Sequence, residues 1–438
     1  YCRYRAHSHV MTLTVYNMLW RLILPIIPLI LWQRTRNGKE LANRRIERFG
    51  RTDANVNRSP PHSGRRIWLH GVSVGETVAA LRLARALANH LPDHEFLITT
   101  NTITGLGVIQ ATMADQPGLP VSHVMQPLDH PDFVDQFLAN WHPVATIFME
   151  SDFWPNLILR SKQFGIPVIF ASSQLSCKTA AKWLKRPAFA KQLFAAADLI
   201  LPVDSHQADQ FRRLIGTAKD APQIQVVGSL KLPNIDPPDP HLQQTLHKAA
   251  ANRRVFLAAS THHGEDQIII DAARMLGAGW LTIIAPRHPH RGDSIAKLAG
   301  QAPQRSHGEM PDQNTAIFVM DSLGEMGTSF SLATYVFLGG SLVPAGGHNP
   351  LEPAAFGLPI FTGPHIFKNS AEFKGLAAAD AVFEVSDAET ITAQIHLLEK
   401  DAERRAKLAK NAKDYVTIAH QRVTVAARAI DQVLNKEK

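Results

Sequence analysis

From Ile67 onward, short apolar runs alternate with stretches of helical periodicity. Ile67–His70, Phe96–Thr100, Ala145–Glu150, Pro167–Ala171, Asp198–Val203 and Gln225–Gly228 read as strands, and Thr77–Asn89 and Trp154–Phe164 as helices between them. Near-continuous apolar runs of this length fit strands buried on both faces, so the pattern predicts an α/β fold with a parallel sheet between two helical layers. The stretch Leu232–Pro240 then holds Pro233, Pro237, Pro238 and Pro240, too many prolines for either element, and reads as a linker. Alternation resumes with Val255–Ala259, Leu281–Ala285, Ala316–Met320, Val336–Gly340 and Pro359–Thr362, which predicts a second doubly wound, Rossmann-like sheet. From Ala388 the pattern is helical, with the charges at Lys400, Asp401, Glu403, Arg404, Arg405, Lys407 and Lys410 on a solvated face. The expected organisation is an α/β domain over residues 52–232, a linker over 233–240 and a second α/β domain over 241–438.

Ahead of these lies an apolar run from Leu13 to Trp32, close to the twenty or so residues a bilayer requires. Arg21, Pro25 and Pro28 make it a poor spanning helix, but Trp20 and Trp32 suit a membrane interface. Arg34, Arg36, Lys39, Arg44, Arg45, Arg48 and Arg51 follow directly, and this basic flank places the globular part on the cytoplasmic side. The small residues of a signal-peptide cleavage site are missing from W-Q-R-T-R. Residues 11–51 are therefore expected to form a membrane anchor, single-pass or interfacial, and residues 1–10, ahead of Met11, an upstream extension.

Charge refines this picture. Residues 1–66 hold 13 Lys and Arg against 3 Asp and Glu, whereas the remainder holds 33 basic and 35 acidic residues. The net charge of +8 thus belongs to the first 66 residues, the rest being nearly neutral, and nucleic-acid binding loses its main support. Two cysteines cannot form a disulfide framework, which favours a reducing compartment.

Ligands of open parallel sheets bind beyond the carboxyl ends of the strands, so the residues there are the informative ones. The first strand runs into H-G-V-S-V-G-E-T (70–77), which sets Glu76 at a helix entrance, where the helix dipole favours a carboxylate. There it reads either as a base or as a plain first-turn acid. Glu150 and Asp152 share one strand tip, an arrangement that is costly unless a cation or a proton sits nearby. V-V-G-S-L-K presents Lys231 just before the linker. In the second half the tips read A-A-S-T-H-H-G-E (258–265), A-P-R-H-P-H-R (285–291), D-S-L-G-E-M-G (321–327) and G-G-S-L-V-P-A-G-G-H-N-P-L-E-P (339–353). In the last, Gly346 and Gly347 allow close approach of backbone, Asn349 suits a helix cap and Pro350 the first helical position, a combination that suits an anion. With Arg287 on a neighbouring tip a phosphate would be held, and Glu352 would face ribose hydroxyls. His262, His263, His288 and His290 cluster at these tips without H-E-x-x-H or a Cys pair, so no metal site is expected. P-loop and dinucleotide fingerprints are absent, and Ser73 lacks the G-x-S-x-G setting of a hydrolase.

Together, H-G-V-S-V-G-E-T, P-L-D-H-P, M-E-S-D-F-W-P-N, G-S-L-K, A-S-T-H-H-G-E, P-R-H-P, G-E-M and G-G-H-N-P-L-E-P-A-A-F-G-L-P-I-F-T-G-P-H resemble the 3-deoxy-D-manno-octulosonic acid (Kdo) transferases, over nearly the whole chain after residue 11. The resemblance implies two domains in the B-type glycosyltransferase arrangement, the first binding acceptor and the second CMP-sugar, at the cytoplasmic face of a Gram-negative inner membrane. It implies transfer of Kdo from CMP-Kdo to a lipid A precursor (lipid IVA) in lipopolysaccharide core assembly, without a metal or other cofactor. By the same resemblance Glu76 is the general base, Glu150 and Lys231 stabilise the transition state, and CMP meets Pro286, Arg287, Gly324, Glu325, Met326, Asn349, Pro350, Leu351 and Glu352. The chain departs from the family at Ser172–Ser176, where N-A-R-L-S is usual, at Ser229 in place of Asn, and at Ala345, where an arginine is often found. Two alternatives are a nucleotide-sugar epimerase of the same architecture, which needs no anchor, and a membrane-tethered nucleotide-sugar binding protein, which would tolerate loss of Glu76.

Overall fold

A computed structural model describes residues 12–52, 65–217, 221–233 and 237–436. The extension expected at residues 1–10 lies outside the described residues, as does part of the Pro-rich linker. The chain divides into two compact units, Tyr1–Lys231 joined by His420–Lys438, and Leu232–Ala419.

The first unit holds β1 (Arg65–His70), β2 (His94–Thr100), β3 (Val121–Met125), β4 (Pro143–Met149), β5 (Val168–Ser173), β6 (Leu199–Pro202) and β7 (Gln223–Ile224). All pair in parallel, in the order β3-β2-β1-β4-β5-β6-β7. Ile67, Leu69, Phe96, Leu97, Ile98, Val168, Ile169 and Phe170 are fully buried, as strands covered on both faces require. Trp68, Phe137, Phe148, Phe153, Phe170 and Phe194 belong to one core cluster. The second unit repeats the plan with β8 (Arg254–Thr261), β9 (Trp280–Pro286), β10 (Ile317–Val319), β11 (Tyr335–Leu338), β12 (Ile360–Thr362) and β13 (Val382–Glu384), in the order β10-β9-β8-β11-β12-β13.

Local chemistry accounts for several differences from the sequence reading. The first helix starts at Val74 rather than Thr77, because Ser73 and Glu76 close a capping box around its first turn. Gln225–Gly228 is not a strand: β7 ends at Ile224, and the chain then curls toward the positive-φ Gly228 (φ 102°). Pro240 is not linker but the first residue of the helix Pro240–Ala250, where its missing N–H costs nothing, and the Asp239 carboxylate accepts from His241 N (2.8 Å) and Leu242 N (2.9 Å). The helix Ala402–Lys436 carries residues from His420 onward into the first unit, although the sequence reading assigned them to the second. There its apolar residues Val423, Ala426, Ala427 and Ile430 are buried. Arg422 fills the space beside Gly228, where a Cβ would lie 2.6 Å from the arginine Cδ.

The apolar segment is helical from Leu13 to Ile23 and from Ile27 to Arg36, joined by a 3-10 turn at Leu24–Ile26. Pro25 and Pro28 sit in the first turns after each break, where they interrupt the hydrogen-bond ladder least. Within Leu13–Arg36 an 18-residue stretch has a mean hydropathy of 1.6, and the segment is long and apolar enough to cross a membrane by length and composition. One side touches the first unit: the Tyr16 hydroxyl donates to Asp129 Oδ2 (2.7 Å), Asn17 Oδ1 accepts from Asn156 Nδ2 (2.9 Å), and Ile27 and Leu31 are buried. Val15, Met18, Leu19, Leu22, Ile23, Ile26, Leu29, Ile30 and Trp32 remain exposed.

The basic flank is only partly free. Arg48 is buried, pairs with Glu40 at 2.8 Å and bonds Asn101 Oδ1 (2.7 Å) and Gln126 O (3.0 Å). Arg44 pairs with the buried Glu47 at 2.7 Å. Of the cations expected to face lipid, Arg36, Lys39 and Arg51 are the exposed ones.

Candidate active site

In the first sheet the strand order reverses direction between β1 and β4, and this switch point is where ligands of such sheets bind. β1 leads into the helix carrying Glu76, and β4 ends immediately before Glu150. Glu150 adopts φ 57°, a left-handed conformation rare for a residue with a side chain, and functional sites are where such backbone is retained. Its buried carboxylate meets Lys231 Nζ at 2.6 and 2.7 Å and accepts from Gln174 Nε2 at 3.3 Å. Burial pushes the Glu150 pKa up, with Lys231 and Gln174 opposing it. Gln174 thus occupies the place where the family resemblance predicts an arginine, and still delivers an N–H to this carboxylate.

Lys231 is half-buried, and its loop is tied down by Leu230 N donating to Ser172 Oγ (3.1 Å) and by Lys231 N donating to Ser229 Oγ (3.2 Å). Ser229, the departure from asparagine, therefore closes the turn that presents the lysine. Gly75 gives the lysine room, since a Cβ there would stand 3.1 Å from Lys231 Cε.

Glu76 accepts from Val72 N (2.7 Å), Ser73 N (3.3 Å) and Ser73 Oγ (2.9 Å). Burial raises its pKa, but the Val72 N–H, the Ser73 hydroxyl and the Lys231 charge outweigh it and hold the carboxyl below its ordinary range. The capping role and an ionised state suited to a base coexist in one residue. Asp152 completes the group: its Oδ2 is buried with no hydrogen-bond partner among the described residues, and burial, then the neighbouring Glu76, push its pKa up to about 8. Sequence reading placed Asp152 beside Glu150 but gave it no role; the expense of a second carboxyl at one strand tip was the signal.

The second sheet reverses between β8 and β11, and the predicted nucleotide contacts lie around its carboxyl edge. Pro286 is the buried last residue of β9 and Arg287 follows it, exposed, its backbone N–H donating to Thr261 O (3.0 Å). Gly324 has φ 80°, Glu325 pairs with Arg305 at 2.8 Å, and Met326 opens the helix Met326–Leu332. Asn349 Oδ1 accepts from Leu351 N (3.1 Å), as a capping asparagine does. The helix that follows spans only Leu351–Ala355, with Pro350 ahead of it rather than inside it and Leu351 fully buried, so it contributes little dipole. Leu351 can meet a ligand only through its backbone, while Glu352 lies partly exposed in the first turn.

Positive charge gathers at this edge. His262 Nε2 lies 2.9 Å from His348 Nε2. Burial drives the His348 pKa down to about 4, and His262, Arg287, Lys368 and His288 add to the effect. With their pKa values lowered, the His262 and His348 imidazoles are neutral groups beside the fixed cations Arg287 and Lys368, and among the described residues no group of three or more His, Cys, Asp or Glu is arranged for a metal ion. Sequence reading missed Glu265, whose buried carboxylate accepts from His262 N (2.8 Å), Gly340 N (2.7 Å), Ser341 N (3.0 Å) and Leu342 N (2.9 Å). It knots the β8 tip to the turn after β11; its place in A-S-T-H-H-G-E was the available hint.

Comparison with known proteins decides the family. The profile of the family described as 3-Deoxy-D-manno-octulosonic-acid transferase (kdotransferase) matches residues 43–234. The 3-deoxy-D-manno-octulosonic acid transferase of Haemophilus influenzae is 34% identical over 400 residues, which cover 88% of this chain and 90% of that one. The chain belongs to the Kdo transferase family. The Bordetella pertussis Kdo transferase is 32% identical over 410 residues, 90% of this chain and 92% of its own. A glycosyltransferase from Rickettsia africae ESF-5 superposes with a TM-score of 0.58 at 11% identity, over 85% of this chain and 99% of its own. A UDP-GlcNAc 2-epimerase from Neisseria meningitidis gives 0.56 at 13%, over 85% and 100%. At such identities the structures establish the shared B-type architecture alone, and Kdo transferase membership makes this protein a glycosyltransferase.

Proposed function

We propose that this Kdo transferase moves Kdo from CMP-Kdo to a lipid A precursor, lipid IVA, in lipopolysaccharide core assembly at the cytoplasmic face of the inner membrane. The observation that carries the reading is the juxtaposition of Glu76 with the Glu150–Lys231 pair at the first sheet's switch point. In this reading ionised Glu76 takes the proton of an acceptor hydroxyl. The freed oxygen bonds to the anomeric carbon of Kdo as the bond from that carbon to the CMP phosphate breaks on the opposite face, inverting the centre. Glu150 and Lys231 offset the charge that develops. Arg287, Pro286, Gly324–Met326 and Asn349–Glu352 hold CMP, whose phosphate leaves against the Arg287 charge with no divalent metal required. Incubating the protein with CMP-Kdo and tetraacyl lipid A precursor, with and without a chelator, should yield Kdo-bearing lipid by mass spectrometry at rates within a few-fold of each other. No Kdo-lipid in either sample defeats the substrate assignment, and a loss reversed by one particular metal defeats the metal-free one.

The acceptor lies in a membrane, and the N-terminal helix fits that setting. Because Tyr16 and Asn17 near one end bond Asp129 and Asn156, and Ile27 and Leu31 near the other are buried, the helical segment runs along the rest of the first unit, a posture suited to lying in the interface with its apolar side in lipid. The full chain should sediment with anionic vesicles, and a chain lacking residues 1–35 should stay in the supernatant. With Arg44 and Arg48 engaged in ion pairs, raising salt should weaken the attachment only modestly. A full chain that never pellets with vesicles would end the anchor reading.

A further inference from the structure

Three carboxyls, Glu76, Glu150 and Asp152, surround one ammonium group, Lys231. Two of them are committed as anions: Glu150 by its ion pair, and Glu76 by three donors at the helix entrance. Asp152 is different. No hydrogen-bond donor among the described residues reaches its buried Oδ2; Glu150, two residues back, holds Lys231 at 2.6 Å and Gly75, next to Glu76, lies against the same lysine, so the carboxyl brought to this site beside it is Glu76, itself an acceptor. Two ionised carboxylates in contact repel, whereas a carboxyl that keeps its proton becomes the missing donor.

We propose that Asp152 is a positioning residue for the base: it keeps its proton and donates it to Glu76, so that the two carboxyls share one negative charge and Glu76 is held in place. This rests on Glu76 being the base. Burial, the Glu76 charge and contact, and the Glu150 charge raise the Asp152 pKa to about 8, with Lys231 opposing. Glu76 on the helix, Glu150 on the β4 tip and Lys231 on the loop after β7 are the charged groups it faces. The sign follows: as pH rises Asp152 loses its proton, the donor becomes a second negative charge, and activity falls.

The test is the pH profile of kcat at saturating donor. Asp152→Asn keeps an N–H donor but cannot ionise; it should lose only a few-fold at neutral pH and show its alkaline fall at least one pH unit higher than the wild type. Asp152→Leu should lose roughly 10- to 100-fold in kcat with the donor KM unchanged, as expected when a hydrogen bond to a charged group is deleted. In the infrared, the wild-type protein should show a protonated-carboxyl band that fades over the same pH range and is missing from Asp152→Asn. An identical alkaline limb in Asp152→Asn, or no such band in the wild type, would overturn the proposal. In Glu76→Gln the band should titrate at lower pH because the neighbouring charge is gone. That shift together with normal turnover would reject Glu76 as the base while retaining the Asp152 contact.

Discussion

Glu76→Gln should lose about 100- to 10,000-fold in kcat, the usual contribution of a positioned general base. A sugar hydroxyl is too weak an acid to attack unaided, and Glu76 is held ionised at the switch point of the first sheet without being tied up in an ion pair as Glu150 is. Glutamine keeps an oxygen that accepts from Val72 N and so retains much of the cap. CMP affinity should survive, because the predicted nucleotide residues all belong to the second unit. A purely capping role predicts something else: up to about 2 kcal/mol of lost stability and normal turnover in the molecules that stay folded. Turnover and CMP binding measured on one folded preparation separate the cases. Near-normal turnover would remove Glu76 from the mechanism, and lost CMP binding would point to general disruption. The depressed pKa has its own consequence. The stability Glu76 contributes is present above its unfolded-state pKa and is lost as pH falls through the lower folded value, so Glu76→Gln should flatten that part of the acid-unfolding curve.

Arg48→Met should destabilise the first unit by roughly 3–5 kcal/mol, the penalty typical of removing one partner from a buried ion pair. The guanidinium is 2% exposed and serves Glu40, Asn101 and Gln126 at once. Without it Glu40, 5% exposed, retains among the described residues only Arg34 at 3.4 Å. The double variant Arg48→Met with Glu40→Leu should recover much of the loss, since no buried charge is then stranded. Arg36→Gln, on the exposed side of the same segment, should change stability by no more than about 0.5 kcal/mol. Urea unfolding of the three variants checks the ranking. If Arg48→Met matches Arg36→Gln, the pair contributes nothing and Arg48 belongs with the membrane-facing cations after all.

Much of the architecture was legible in the chain because its information is local. Buried parallel strands are apolar runs between helical periods, so two doubly wound sheets could be read directly. The same held for Glu76, whose cap lies three residues away in Ser73, and for the clustering of polar residues after each strand. Strands β3 and β13 escaped: Ser122 and His123 break the apolar run of β3, and β13 is only three residues long at a sheet edge.

What folding alone decided is which charges meet. Arg44 and Arg48 look in sequence like a basic flank continuous with Arg36 and Lys39, yet Arg48 finds the carbonyl of Gln126, 78 positions away, and is drawn inside. Lys231 and Glu150 are separated by 81 positions, and neither residue's neighbours announce the other. The protonated state argued for Asp152 depends on Glu76, Glu150 and Lys231 all converging on one strand tip. Periodicity reports whether a side chain faces core or solvent; whether a charge is paired, stranded or neutralised depends on the distance to partners that only the closed sheet brings together, and on how much water remains between them.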